Sequence, residues 1–286
     1  MNVSAKAGVN SARVLLVDAH VHIYDCYDID ALFDAAARNF SRMAQKLGIA
    51  GAPRDGMLLL TETAHDHAFD ALAAGELRPK RWAVEKTAEP AVLRISLDRQ
   101  VPLWLVAGRQ IATSEDLEVL ALGTTRRFPD GEPISVSLAA AEQSAELTAL
   151  PWGFGKWWGP RGGIIQGIMS APRASPLYAG DNGGRLALST RPRLLQLGER
   201  RGVKVLPGTD PLPFAGQESR VGGFGMLIRD WDPGDRPLGR LAARLAALPN
   251  SPQQFGGLTG ITSFVKLQIA MQLRKRRRRR VATAVS

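Results

Sequence analysis

The sequence predicts an α/β fold whose parallel strands close into a (β/α) TIM-like barrel of about seven strands. Three observations lead there. Short apolar runs alternate with helical stretches along most of the chain. Polar residues capable of chemistry follow almost every run, and a barrel gathers all such strand ends on one face. No internal repeat of fixed period and no glycine-rich phosphate loop of the GxGxxG or Walker type points elsewhere.

The first predicted strand is Val14-Leu15-Leu16-Val17, whose branched side chains favour extended backbone. A helix follows over 28–47, with Ile29, Leu32, Phe33, Ala36, Phe40, Met43 and Leu47 at helical spacing, Asp28 or Asp30 as cap and Gly48 as terminator. Met57–Leu60 is the second strand, and 66–74 a short helix. Residues 81–107 break the rhythm: Arg81–Lys86, Val92–Leu97 and Leu103–Val106 read as strands without intervening helices, predicting a β insertion or an extended loop. The alternation resumes with strand Leu117–Leu122, helix Ser135–Leu147 and a strand near Leu150. Helix Gly162–Met169, strand Leu177–Ala179, helix 192–201, and strands Val203–Leu206 and Phe224–Ile228 complete it. The expected organisation is a disordered 1–13, a barrel over 14–250 with its insertion at 81–107, and a C-terminal helix and polybasic tail over 251–286.

Hydrophobic residues make up 45% and charged residues 22% of the 286, which excludes disorder of the whole chain. No apolar run approaches the ~18 residues of a spanning helix, and Met1–Arg13 shows no apolar stretch of a secretory signal. Cys26 stands alone, so an intrachain disulfide and a thiolate zinc cluster are excluded. A cytoplasmic location is the expectation. The net charge of +10 owes seven charges to Arg274–Arg280 and leaves a mildly basic body, so the whole chain is not read as a nucleic-acid binder.

Four clusters carry chemistry. Asp18-Ala19-His20-Val21-His22 ends the first strand, where alternation puts both imidazoles on one face, an arrangement suited to zinc, manganese or iron. Thr61–His67 ends the second strand with Glu62, His65, Asp66 and His67, which would complete a metal sphere or, more plainly, cap a helix. Asp210, in Pro207-Gly208-Thr209-Asp210, is placed to ligate a metal or serve as a general base. Pro151–Gly163 packs three tryptophans, five glycines, Lys156 and Arg161 into one loop, and Asp181–Arg185 follows a neighbouring strand. With Arg220, these cations would hold an anionic group.

Asp-Ala-His-Val-His at 18–22 resembles the metal-binding start shared by the amidohydrolase superfamily and the polymerase-and-histidinol-phosphatase (PHP) family. Thr61–His67 is similar to the second PHP motif, and Gly208-Thr209-Asp210 resembles a late one, with Pro211 and Leu212 where a histidine would end it. Gln110 stands where the PHP pattern has a glutamate ligand, and Lys156 is similar to the bridging lysine of some amidohydrolases. No histidine occurs after His67, although both families draw ligands from middle or late strands. The resemblance implies a hydrolase with a divalent metal held by His20, His22, Asp210, Glu62 and His65. Asp210 and Lys156 would be catalytic, and Arg161, Asp181, Arg185 and Arg220 would bind an anionic small molecule or phosphoester, attacked by a metal-activated water. The alternative is a catalytically reduced barrel working as a peripheral membrane or assembly protein. In that reading the apolar 263–273 and the arginine run meet anionic lipid, nucleic acid being the lesser expectation.

Overall fold

A computed structural model describes residues 13–185 and 190–257. The predicted C-terminal helix at 263–273, the basic run and residues 1–12 lie outside the described residues. Among the described residues twelve strands fall into two sheets. The larger has the order β12-β11-β1-β2-β5-β4-β3, where β1 is Val14–Val21, β2 Arg54–Leu60, β3 Ala83–Lys86, β4 Val92–Ser96, β5 Leu103–Val106, β11 Phe224–Ile228 and β12 Gln253–Gly256. The smaller has the order β10-β9-β8-β7-β6, with β6 Gly108–Ala112, β7 Glu118–Leu122, β8 Leu147–Pro151, β9 Leu177–Asn182 and β10 Lys204–Gly208.

This corrects the barrel expectation. Among the described residues the fold is mixed α/β, with no closed barrel. Only β1–β2, β2–β5, β8–β9 and β9–β10 pair in parallel. β1–β11, β11–β12, β3–β4, β4–β5, β6–β7 and β7–β8 are antiparallel. For β3–β4, β4–β5 and β6–β7 the reason is connection length. A parallel pair needs a crossover of a dozen or more residues, usually a helix, whereas β3, β4 and β5, and likewise β6 and β7, follow one another too closely for one. The predicted insertion is therefore no appendage, because β5 pairs with β2 inside the larger sheet. Ala107 alone separates β5 from β6, and the chain passes there from one sheet to the other.

The alternation of each strand divides the core. On β1, Val14 and Leu16 join a cluster with Leu32, Phe33 and Phe40 of helix α1 (Ile29–Lys46). Leu15, Val17 and Ala19 instead join Leu122, Ala149, Tyr178 and Leu206 of the smaller sheet. The two sheets thus face each other across a shared core. Helix α2 is Ala68–Ala74. Helices α3 (Ile134–Ser144), α4 (Pro160–Ser170) and α5 (Arg193–Arg200) cover the far side of the smaller sheet through Leu138, Ile165 and Leu195. Helix α6 (Pro237–Ala247), absent from the sequence reading, brings Leu238, Leu241 and Leu245 into the shared core. At 10–12 Å diameter, helices of this size bury one stripe each and leave the strand ends open.

Candidate metal centre

The two sheets meet beside the ends of β1 and β10. Gly208 permits this, since a Cβ there would lie 2.2 Å from the His20 backbone nitrogen. The Asp210 N–H then donates to the His20 carbonyl at 2.9 Å. A register shift between Asp18 and Val21 inserts one extra residue into β1 relative to β2, where Asp18 pairs with Leu58 and Val21 with Leu60. Such a bulge re-aims the side chains beyond it. Val21 and Ile23 pack with α1, so the alternate residues His20 and His22 are turned the other way, and both are buried.

Three donor atoms converge: Nε2 of His20, Nε2 of His22 and Oδ1 of Asp210. The imidazole nitrogens are 3.2 Å apart, and Asp210 Oδ1 is 3.5 Å from His20 and 3.6 Å from His22. The last two distances are too long for hydrogen bonds. They match what an ion imposes: four tetrahedral ligands at ~2.0–2.1 Å stand about 3.3–3.4 Å from one another. Gln110 Oε1 lies 3.2 Å from the same His20 nitrogen, adding a neutral oxygen at the rim.

The electrostatics suit a cation. Burial, aided by neighbouring His20, lowers the His22 pKa to about 3, against a smaller opposing pull from Asp210, so its ring is neutral and keeps a lone pair. Its Nδ1 is buried with no hydrogen-bond partner among the described residues, and the ring stacks on Tyr24 with centroids 5.2 Å apart. Burial works against ionising Asp210, yet His20, His22, Lys156 and Arg220 outweigh it and hold the carboxyl below its ordinary value. The donor set of two imidazoles and a carboxylate therefore fits zinc, manganese or iron.

A surrounding set of residues fixes these donors. Asp18 accepts from Thr209 N at 2.8 Å, Thr209 Oγ1 at 2.6 Å, Gly222 N at 2.9 Å and His20 N at 3.3 Å, tying β1, β10 and the approach to β11 together. Asn182 Nδ2 donates to Asp210 Oδ2 at 3.0 Å and to the Trp152 carbonyl at 3.1 Å. Thr61 Oγ1 stands 3.3 Å from His22 Nε2. Asp210 sits at φ +46°, a left-handed conformation uncommon outside glycine. Asp18 and Asn182 had not been assigned roles from sequence. Asp18 lies inside the histidine motif and Asn182 inside Asp181–Arg185, but nothing in the spacing marks them as the residues that orient Asp210.

Other predicted residues go elsewhere. Glu62 is buried against Arg109 and accepts from Phe69 N at 2.8 Å, so its carboxylate is not among the converging atoms. Burial raises its pKa to about 7, against the pull of the Phe69 N–H and Arg109. His65 and His67 are exposed in the turn after β2. Asp181 forms a buried bidentate pair with Arg185 at 3.1 and 3.0 Å, with Arg191 3.7 Å away, so acid and base neutralise each other. Arg161 donates to the Gly155 carbonyl at 3.1 Å and faces exposed Asp116. Lys156 and Arg220 are the predicted cations whose charge reaches Asp210. Lys156 also pairs with Glu118, which accepts from Gln110 Nε2 at 3.0 Å, completing a polar chain from Lys156 through Glu118 and Gln110 to His20.

No family model matches the sequence, and no curated protein matches it. Among solved structures, the crystal structure of PsfC from Pseudomonas syringae PB-5123 is similar, with a TM-score of 0.53 at 15% identity, covering 92% of this chain and 98% of that chain. A likeness at this identity shows the fold alone, and it extends over nearly the whole of both chains. No helix among the described residues is long and apolar enough to cross a membrane.

Proposed function

We propose that this protein is a metal-dependent hydrolase acting on an anionic small molecule or phosphoester. The observation that carries the reading is the convergence of His20, His22 and Asp210 at spacings of 3.2–3.6 Å, which an ion at their centre would satisfy. When bound, a divalent ion would polarise the substrate's oxygen and lower the pKa of a bound water towards neutrality. The chain's own residues do the rest. His20 and His22 supply neutral nitrogen donors, and Asp210 supplies charge through Oδ1 while Asn182 holds Oδ2. Lys156 and Arg220 give this end of the site a positive field that favours an anionic group. The buried imidazoles and the β1–β10 contact exclude water from one side, which strengthens every charge interaction inside.

The test is hydrolysis of a panel of phosphomonoesters, phosphodiesters and amides by protein reconstituted with zinc or manganese. Turnover that disappears in His20→Ala/His22→Ala supports the reading. Absence of turnover across the panel with metal bound counts against it.

The seven basic residues of 274–280 favour a second, compatible role as an address for anionic lipid. Truncation after Met271 should then abolish sedimentation with anionic liposomes and leave hydrolysis unchanged. Liposome binding that persists without the tail removes this role.

A further inference from the structure

The six tryptophans divide into two groups. Trp82, Trp104 and Trp231 each direct the indole N–H at a carboxylate: Trp82 to Asp34 at 3.1 Å, Trp104 and Trp231 to Asp55 at 3.4 and 2.9 Å. That is how a tryptophan in a folded interior satisfies its one polar atom. Trp152, Trp157 and Trp158 differ. Trp152 and Trp157 are only 9% and 5% exposed, and none of the three points its indole N–H at a carboxylate among the described residues. All three line one cleft of about 720 Å³ together with Phe154 and Arg193. Phe154 and Trp158 are 56% and 59% exposed and meet edge to face with centroids 5.0 Å apart. An exposed tryptophan such as Trp158 at the mouth of a cleft is costly unless something covers it.

The charge of the cleft selects the occupant. Arg193 is exposed and makes no ion pair or hydrogen bond among the described residues. Gly159, at the cleft wall, precedes the first turn of the eleven-residue helix α4, which has no side-chain cap and begins with Pro160. A cation and the positive end of a helix both seek acceptor oxygens, while the rings seek a flat apolar face. The cleft is also tied to the metal centre. The loop after β8 contributes Trp152, Phe154, Trp157 and Trp158 to the cleft and Lys156 to the field at Asp210. The Asn182 amide bonds both the Trp152 carbonyl and Asp210 Oδ2.

From this placement we infer that the tryptophan cleft is a subsite for a flat aromatic group carrying acidic oxygens, so that the anionic substrate of the metal centre is an aryl compound. The naming of a substrate rests on the hydrolase reading; the cleft's preference for aromatic anions does not.

The experiment uses the full chain and two probes. The first is 1-naphthalenesulfonate, which has no bond to hydrolyse, titrated by calorimetry. Wild type should bind it, Phe154→Ala/Trp158→Ala should weaken binding at least fivefold, and Arg193→Gln should weaken it at least threefold. His20→Ala/His22→Ala should bind within twofold of wild type. Retained zinc stoichiometry in the cleft variants confirms that they fold. The second probe is turnover of 1-naphthyl phosphate against methyl phosphate. The aryl ester should have a KM at least tenfold lower, and the advantage should vanish in Phe154→Ala/Trp158→Ala. Failure of the sulfonate to bind, or equal binding by the cleft variants, overturns the subsite. Cleft-dependent sulfonate binding with no turnover of either ester upholds the subsite and overturns the hydrolase reading.

Discussion

His20 and His22 stand two residues apart at the end of strand β1, the first within it and the second just past it, and His65 and His67 stand two residues apart between β2 and helix α2. In sequence the pairs look equivalent, since each follows an apolar strand and sits beside a carboxylate. In the fold they part. Strand periodicity and the bulge at Asp18–Val21 put the first pair on one buried face, 3.2 Å apart. The second pair has no such periodicity, and both rings are exposed. Asp66 spends its carboxylate on Thr63, accepting from N at 3.1 Å and Oγ1 at 2.6 Å, and Glu62 spends its own on Arg109. The same spacing therefore brings two imidazoles onto one buried face only where the backbone is extended.

The sharpest way to break this contrast is to remove each pair in turn. His20→Ala or His22→Ala deletes a ligand and should reduce zinc affinity by more than about 100-fold, exceeding the 10–100-fold typical of an outer partner. His65→Ala/His67→Ala should change it less than twofold. Calorimetric zinc titration reads both, and equal losses from the two pairs would erase the distinction.

A lesser effect is expected from Asp18→Ala. It strands the buried N–H groups of Thr209 and Gly222, at about 1–3 kcal/mol for each unsatisfied donor. It also frees the turn that carries Asp210. Denaturant unfolding should show the lost stability, and zinc titration a weaker site. Wild-type stability in this variant would mean that Asp18 does not hold the turn. Asn182→Ala should leave stability nearly unchanged but lower zinc affinity by about 10–100-fold, because Asp210 Oδ2 loses its donor. An unaltered zinc isotherm would show that Asp210 is oriented by other means.

A different kind of effect is a pH dependence. His22 titrates at about 3 when folded against an ordinary value of 6.5. Between those values the unfolded chain binds the proton that the folded chain refuses, so this residue makes folding stability fall as pH drops from 6.5 towards 3. The acid loss of stability should be shallower in His22→Gln than in wild type over that window. Parallel curves for wild type and His22→Gln would show that His22 takes up its proton without penalty.

What could be read from sequence follows the same division. Strand β1, helix α1 and the shared face of His20 and His22 were legible because local periodicity determines them. Asp210 was legible as a polar residue following a predicted strand. The barrel was misread because short apolar runs carry no sign of strand direction. The five residues between β6 and β7 make an antiparallel pair, and the one residue between β5 and β6 moves the chain between sheets. Helix α6 was hidden by Pro233, Gly234, Pro237 and Gly239 around its start, although Leu238, Leu241 and Leu245 have helical spacing. The fates of Glu62 and Asp181 depended on Arg109, distant in the chain, and on Arg185 and Arg191, whose pairing no spacing announces.

X-ray absorption at the zinc edge of the reconstituted protein tests the central claim most directly. Two imidazole nitrogens and a carboxylate oxygen should appear at ~2.0–2.2 Å, with the imidazole scattering lost in His20→Ala/His22→Ala and kept in His65→Ala/His67→Ala. A zinc shell without imidazole, or imidazole scattering that survives loss of His20 and His22, would contradict the account.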